Sequence, residues 1–511
     1  MSGKKINGLF KVIVSLSGIV ILSKLLGFAK SIVMASAFGA TMETDIVTLA
    51  HTFISNIELV ITGTLSTAFV PIYINIVKEG FAEKKKRFIS NSIKLFVFVA
   101  ICSIAVFLIG APLISKIIAP SYDSFANSEL TKYIRILTPV LISFVFMSLF
   151  KAVLNANEKF WPGELISVIG SVMMILSIVL FSSSIGTDTI ILGLWGSSVV
   201  SAVFLGIVSR KHWTITRGNP FKDKDVIELL RITFPLLFGV AMHFINQQID
   251  KIIVSGMKDG TVTAMNYSAI VSQFVTTLMG LVCMVLYTKL SVNSAQGEHK
   301  QNAEFVVNTL SVTITLLLPI TILSVLCSKD IIRIIFERGA FDSRATTSAS
   351  YALAGYGLVF IPFTMKTLFN NFLYSNKNTK SPTRNNIIGI LFNIGLSLAL
   401  YKPLGVFGVT FASSLSELLT GVLNIISAKK INEHISVKPL TDKLKYWISG
   451  SVLCIASTLC FLYVTSDWNS SILRFGCCAV IGFAVYLIPC CKIIKGIIKS
   501  LLNKGEPIDN K

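Results

Sequence analysis

The sequence predicts an all-α integral membrane protein of about fourteen transmembrane helices, built as two pseudo-symmetric six-helix lobes with two helices appended. Three observations carry that expectation. Apolar residues make up 53% of the 511 and charged residues only 14%, against roughly 25% charge in a soluble domain. Apolar stretches of spanning length recur between short polar connections, whereas the alternating segments of about ten residues that a transmembrane barrel needs are absent. Finally, the chain repeats itself at an offset of about 220 residues. Leu149-Phe150, Leu154, Asn157 and Pro162 are echoed by Leu368-Phe369, Leu373, Asn376 and Pro382. Upstream, Lys30 pairs with Lys251, Gly39 with Gly260 and Asp45 with Asn266, and the stretch Ala111 to Asp123 resembles Ser328 to Asp342.

The first lobe is expected over 1–215, from apolar cores at 12–35, 46–77, 89–118, 132–154, 164–183 and 189–209. The second, 216–435, has cores at 228–256, 263–291, 303–327, 346–374, 385–401 and 404–427. Residues 436–511 add cores at 445–465 and 472–493 and a basic tail. Lys4, Lys5 and Lys11 precede the first apolar stretch as in a signal peptide. No convincing small-residue cleavage site follows, so the segment is expected to stay as the first span.

The net charge of +20 is a topology signal. Lys and Arg in alternate connections number about 30 on one side, including Lys84 to Arg87 and Lys429-Lys430, against roughly 10 on the other. Both termini are therefore expected on the cytoplasmic side, as an even number of spans requires. The basic face suits anionic lipid headgroups rather than nucleic acid. The nine cysteines lie almost wholly in apolar segments with no zinc or disulfide spacing. No nucleophile elbow, P-loop or HExxH motif is present, which argues against hydrolase and ATP-driven chemistry.

Ionisable residues inside spans are costly and tend to mark a cavity or a buried pair. In the first span, Ser23, Lys24 and Lys30 surround Gly27. His51 and Glu58, seven apart on the second span, share a face from which they can meet Lys24 or Lys30. In the seventh span His243, Asn246, Gln247 and Asp250 form one polar stripe beside Lys251. Such a stripe is either helix-to-helix glue or a cavity wall with Asp250 as a proton or sodium site. Lys366 and Glu417 are candidate ion partners in the second half. No firm metal site is expected.

The resemblance that gathers these residues begins at Ser23 to Lys30 (SKLLGFAK), Phe38-Gly39-Ala40 and Asp45. It continues through Leu65 to Pro71, Ala111 to Pro120, Asn246 with Asp250-Lys251, Phe336 to Phe341, Tyr374 to Pro382 and Pro403-Leu404-Gly405. In these motifs the chain resembles the lipid II flippase family (MurJ, also called MviN), within the multidrug, oligosaccharidyl-lipid and polysaccharide exporter superfamily. The resemblance implies a central cationic cavity between two lobes, a final helix pair that helps form a groove for the lipid tail, and no cofactor. It implies export of an undecaprenyl-pyrophosphate-linked cell-wall precursor, lipid II first, for peptidoglycan synthesis. Ser23, Lys24, Lys30, Asp45 and Lys251 are then expected at the substrate. His243, Asn246, Gln247, Asp250 and Glu417 are expected to line the cavity or couple transport to membrane potential, protons or sodium. Membrane lipids and cell-wall synthesis proteins are the implied partners.

Several positions depart from the family pattern. Lysines replace arginines at 24 and 30, which loses the forked geometry suited to phosphate. Ser31 replaces an acid, Glu58 and Thr62 stand near the place of an arginine pair, and Asn266 to Ile270, then Gln273, replace a charged motif. The rival readings are an exporter of another lipid-linked polysaccharide precursor, a drug/cation antiporter and a membrane glycan polymerase.

Overall fold

The computed structural model describes the backbone of residues 3–502 except 467 and 469. It describes the side chains of 18–491 except 238–247, 285, 288, 467 and 469, together with 493 and 495. The described residues form helices α1 (Gly3–Phe38), α2 (Met42–Lys78), α3 (Ala82–Ile118), α4 (Ser124–Leu137), α5 (Leu141–Ala156), α6 (Trp161–Ile185), α7 (Asp188–Ser209) and α8 (Lys224–Ser255). They continue with α9 (Thr261–Ala295), α10 (His299–Leu326), α11 (Ser328–Phe336), α12 (Ser343–Gly357), α13 (Phe360–Ser375), α14 (Lys380–Ile431), α15 (Lys438–Val464) and α16 (Ser471–Leu502). Hydrocarbon offers peptide groups no water, so a chain this apolar satisfies its amides inside helices.

Twelve helical segments among the described residues are long and apolar enough to cross a membrane. The longest of them, α14, is a hairpin. Gly405 breaks it with φ 59° and ψ −143°, and groups on either side meet in reverse order. Asn385 donates to Asn424 at 2.9 Å and Ser427 at 3.0 Å, and Ser416 donates to the Gly389 carbonyl at 2.7 Å. Its two arms hold the two spans expected at 385–401 and 404–427. Counting both arms, together with α8, which lies outside the twelve, gives the fourteen that the sequence predicts.

The helices extend beyond the expected apolar cores because polar first turns such as Ala82 to Arg87 are already helical. The core expected at 132–154 is a pair, α4 and α5, joined by a 3-10 turn at Thr138–Val140 around Pro139. The core at 346–374 is likewise split into α12 and α13. A proline or a local tightening interrupts a helix without lowering its hydropathy, so composition does not reveal these joints.

The repeat is recorded in backbone exceptions. Glycines with positive φ fall at corresponding junctions: Gly39 (65°) and Gly260 (82°), Gly80 (79°) and Gly297 (77°), Gly186 (56°) and Gly405 (59°). Glu158 (60°) and Lys377 (59°), the non-glycine residues with positive φ among those described, follow α5 and α13. Each stands after an asparagine, Asn157 or Asn376, whose side chain donates to the carbonyl of Val153 or Phe372. The next amides, of Lys159 and Asn378, then close the turns on Leu154 and Leu373, a left-handed helix cap. Asp123 and Asp342 start α4 and α12 by accepting from Ala126 and Ala345, both at 2.8 Å.

By internal contacts the chain divides into unit 1, residues 1–263 with 338–341, and unit 2, residues 264–337 with 342–511. In unit 1, α1 packs on α6, α6 on α7, and α2 on α5 and α8, around a stack of Tyr73, Phe69 and Phe88. In unit 2, α13 packs on α14 and α15 on α10 and α16. Phe369, Phe372 and Leu310 are buried together there, Trp447 donates to Thr315 at 2.9 Å, and Arg474 pairs with Asp330 at 2.9 Å.

A Cβ at Gly260 would run into the Ala40 carbonyl, whereas one at Gly280, within α9, meets nothing. Gly260→Ala is expected to cost about 2 kcal/mol or more, and Gly280→Ala to be neutral or stabilising by up to about 1 kcal/mol. Thermal unfolding of the two variants in detergent checks this.

Candidate functional site

Unit 1 gathers charges from four helices. His51 and Glu58 lie on one face of α2, Lys30 comes from α1, Lys151 from α5 and Lys251 from α8, and all five are half-buried. Lys30 and Glu58 lie within electrostatic reach of each other, Glu58 also of Lys151, and His51 of both Lys30 and Lys251. The Lys251 ammonium donates to Thr52 Oγ1 at 2.8 Å, and Lys151 reaches Glu164 at 3.4 Å. Neutral bonds hold the frame: Thr62 with Ser148 at 2.9 Å ties α2 to α5, and Asn56 to Gln248 at 3.5 Å ties α2 to α8. Three ammonium groups face two carboxylates and an imidazole, an arrangement suited to an anion carrying more than one charge.

The residues expected at the substrate are therefore only partly brought together. Lys30 and Lys251 join the cluster. Lys24 is exposed on α1, and the Ser23 hydroxyl donates to its own helix at Val20 (2.8 Å). Asp45 serves a different partner. Only 3% exposed, its carboxylate accepts from the backbone amides of Gly260 (2.8 Å), Val262 (3.4 Å) and Thr263 (2.7 Å). A carboxylate satisfies the free amides of a helix start and its positive dipole end, here the first turn of α9. The resemblance placed Asp45 at the substrate; the amides it accepts from lie more than 200 residues along the chain, beyond the reach of local patterns.

Asp250 is buried at 7% exposure. The side chains of His243, Asn246 and Gln247, and with them most of the expected polar stripe, lie outside the described residues. Glu417, in unit 2, is held by the Lys366 ammonium at 2.6–2.7 Å. Beside this pair Asn424 donates to Asn370 Oδ1 (2.8 Å) and to the Lys366 carbonyl (3.4 Å). Lys151 was missed from the sequence, although it is the one charge in the otherwise apolar α5. Among the described residues, no group of three His, Cys, Asp or Glu side chains forms a metal cradle.

Outside the spans, the α7–α8 connection carries His212. Burial first, then the ammonium groups of Lys159, Lys85 and Lys211, hold its imidazole below the ordinary histidine range. These cations mark one end of unit 1 as strongly basic.

A duplicated all-helical fold with twelve segments long and apolar enough to cross a membrane among the described residues, and lysines within them, is that of an integral membrane protein. The model for the family described as lipid II flippase MurJ matches residues 34–476, and the chain belongs to that family. Its members are transporters of peptidoglycan biosynthesis, not enzymes. A probable lipid II flippase MurJ of Rhizobium tropici is 26% identical over 430 residues, covering 82% of this chain and 80% of its own. The lipid II flippase MurJ of Burkholderia cenocepacia is 23% identical over 477 residues, covering 90% and 91%. A solved lipid II flippase MurJ in an inward closed conformation shares the fold at a TM-score of 0.81 and 23% identity, over 95% of this chain and all of that one. An inward-facing multidrug resistance MATE transporter of the MOP superfamily matches at 0.64 and 11% identity, over 81% and 95%.

Two outcomes follow from the electrostatics. Truncating Lys366 or Glu417 alone leaves a partly buried charge without its partner, so the double alanine variant is expected to unfold at a higher temperature than the sum of the two single losses implies. The coupling energy is expected at about 1–3 kcal/mol, measured as a double-mutant cycle. For His212, a folded-state pKa below the unfolded one means that the unfolded chain takes up the extra proton. Stability from this group is therefore complete above about pH 6.5 and declines as pH falls below it. In His212→Gln that part of the slope should vanish from melting curves recorded across pH.

Proposed function

We propose that the chain is a flippase that moves an undecaprenyl-pyrophosphate-linked cell-wall precursor, lipid II, from the inner to the outer leaflet of the bacterial cytoplasmic membrane by alternating access. The observation that carries this reading is the lysine cluster of unit 1. A polyprenyl chain can remain in the bilayer, but a diphosphate and its sugars need shelter from hydrocarbon. Lys30, Lys151 and Lys251 supply the counter-charge, with Glu58 and His51 holding them when no anion is bound. The lobes over 1–215 and 216–435 rock to expose the headgroup to either side, and no bond is made or broken. The excess of Lys and Arg in alternate connections supports cytoplasmic termini. Asp250 and the Lys366–Glu417 pair are the groups through which a proton or sodium gradient would act, and membrane potential acts on the lysines themselves.

A second reading, export of another polyprenyl-linked glycan, is favoured by the replacement of forked arginines by lysines at 24 and 30. A drug/cation antiporter fits a net-positive cluster poorly.

The test is lipid II accessibility at the outer face of cells depleted of the protein, with wild type or Lys30→Ala/Lys251→Ala restored. Depletion is expected to lower accessibility at least tenfold, wild type to restore it and the double variant to fail. Unchanged accessibility in cells that have no other flippase would make lipid II the wrong cargo and leave the second reading in its place.

A further inference from the structure

A groove of about 600 Å³ opens between α2 and the turn that follows α5. Its polar rim is formed by Ser66, Asn155 and Glu158, and its apolar wall by Val70, Pro71 and Phe160. Ser66 presents the buried hydroxyl of this rim, Asn155 is half-buried and Glu158 is exposed at the groove's mouth. The Ser66 hydroxyl is buried without a hydrogen-bond partner, and neither the Asn155 amide nor the Glu158 carboxylate is bonded through its side chain to another described residue. Their neighbours are fully used: Thr67 donates to Gly63 at 2.8 Å, and Asn157 to Tyr73 at 3.0 Å and Val153 at 2.7 Å. Pro71, inside α2, has no N–H to return to the carbonyl four residues back, which leaves the Thr67 oxygen as a further acceptor.

Glu158 carries the strongest indication. Its φ of 60° is the left-handed conformation that glycine adopts freely and other residues adopt at a cost of about 1 kcal/mol. The matching turn of the second repeat has the same backbone at Lys377 (59°), a residue of opposite charge. The turn therefore requires neither a carboxylate nor a side chain of either sign. Glu158 also lies just past the end of α5 at Ala156, about 8 Å along the helix from Lys151, a length that one sugar spans.

We propose that this groove is the subsite for the amino-bearing glycopeptide part of the cargo. Glu158 receives its ammonium group, Ser66 and Asn155 bond its hydroxyl and amide groups, and Phe160 with Pro71 packs against the sugar face. The inference rests on the lipid-linked precursor reading above and adds a polarity to it: diphosphate at the lysines, ammonium at the carboxylate.

The experiment uses the full chain in lipid nanodiscs and two probes, an undecaprenyl-pyrophosphate-linked disaccharide pentapeptide with a free side-chain amine and the same lipid N-acetylated. Wild type is expected to bind the free amine roughly tenfold more tightly, as a charge-assisted contact provides. Glu158→Gln should abolish the preference while leaving the affinity for the acetylated lipid unchanged. Glu158→Gly should also abolish it yet raise the melting temperature by relieving the turn, the reverse of what a structural role for the carboxylate gives. A wild type that binds both lipids equally, or a preference that persists in both variants, overturns the subsite and leaves the flippase reading intact. Binding of neither lipid by wild type overturns the flippase reading and the subsite with it.

Discussion

A peptide group in hydrocarbon has only its own chain to bond with, and the structure follows from that constraint. Helices are the default, so the informative residues are those that end them. Gly186 and Gly405 reverse the chain with one residue in a conformation closed to most side chains. Asn157 and Asn376 return a side-chain amide to carbonyls that have lost their helical partners. Asp123 and Asp342 take up the first amides of α4 and α12, and Asp45 does the same for the first turn of α9 from far away in sequence. Every polar side chain spent on a helix end is one withdrawn from the pool that could face a cargo.

The same constraint applies to charge. In unit 2 a lysine and a glutamate are closed on each other, Lys366 with Glu417, and amides from Asn370 and Asn424 surround them. In unit 1 the charges are spread over several helices instead: Glu58 lies within electrostatic reach of Lys30 and Lys151, Lys151 also reaches Glu164, and Lys251 donates to Thr52. Under the transport reading proposed above, those lysines are where an anionic headgroup would find its counter-charge.

The spans were legible from composition, because twenty apolar residues in a row have few alternatives in a membrane, and even the hairpin in α14 was legible from Pro403 and Gly405. The joints between α4 and α5 and between α12 and α13 were not, since they interrupt hydrogen bonding without interrupting hydropathy. In the site, Lys30 and Glu58 were legible because ionisable residues stand out in apolar helices. Lys151 stood out equally, as the one charge of α5, and was passed over. Asp45 was the opposite case: its partners are backbone amides, which carry no residue identity, so no pattern of side chains could have announced them.

Glu158 and Lys377 also bear on ancestry. Their φ angles agree to within a degree while their side chains carry opposite charges. A gene that doubles hands both copies the same scaffold, and the copies can then diverge wherever the scaffold is indifferent to what it displays. Left-handed turns are conspicuous examples of that indifference, because their geometry is set by the backbone and their side chains point away from the helix they end. In a duplicated transporter such turns would be early places for the halves to specialise, and the tip of α5 now displays an acid where its counterpart displays a lysine.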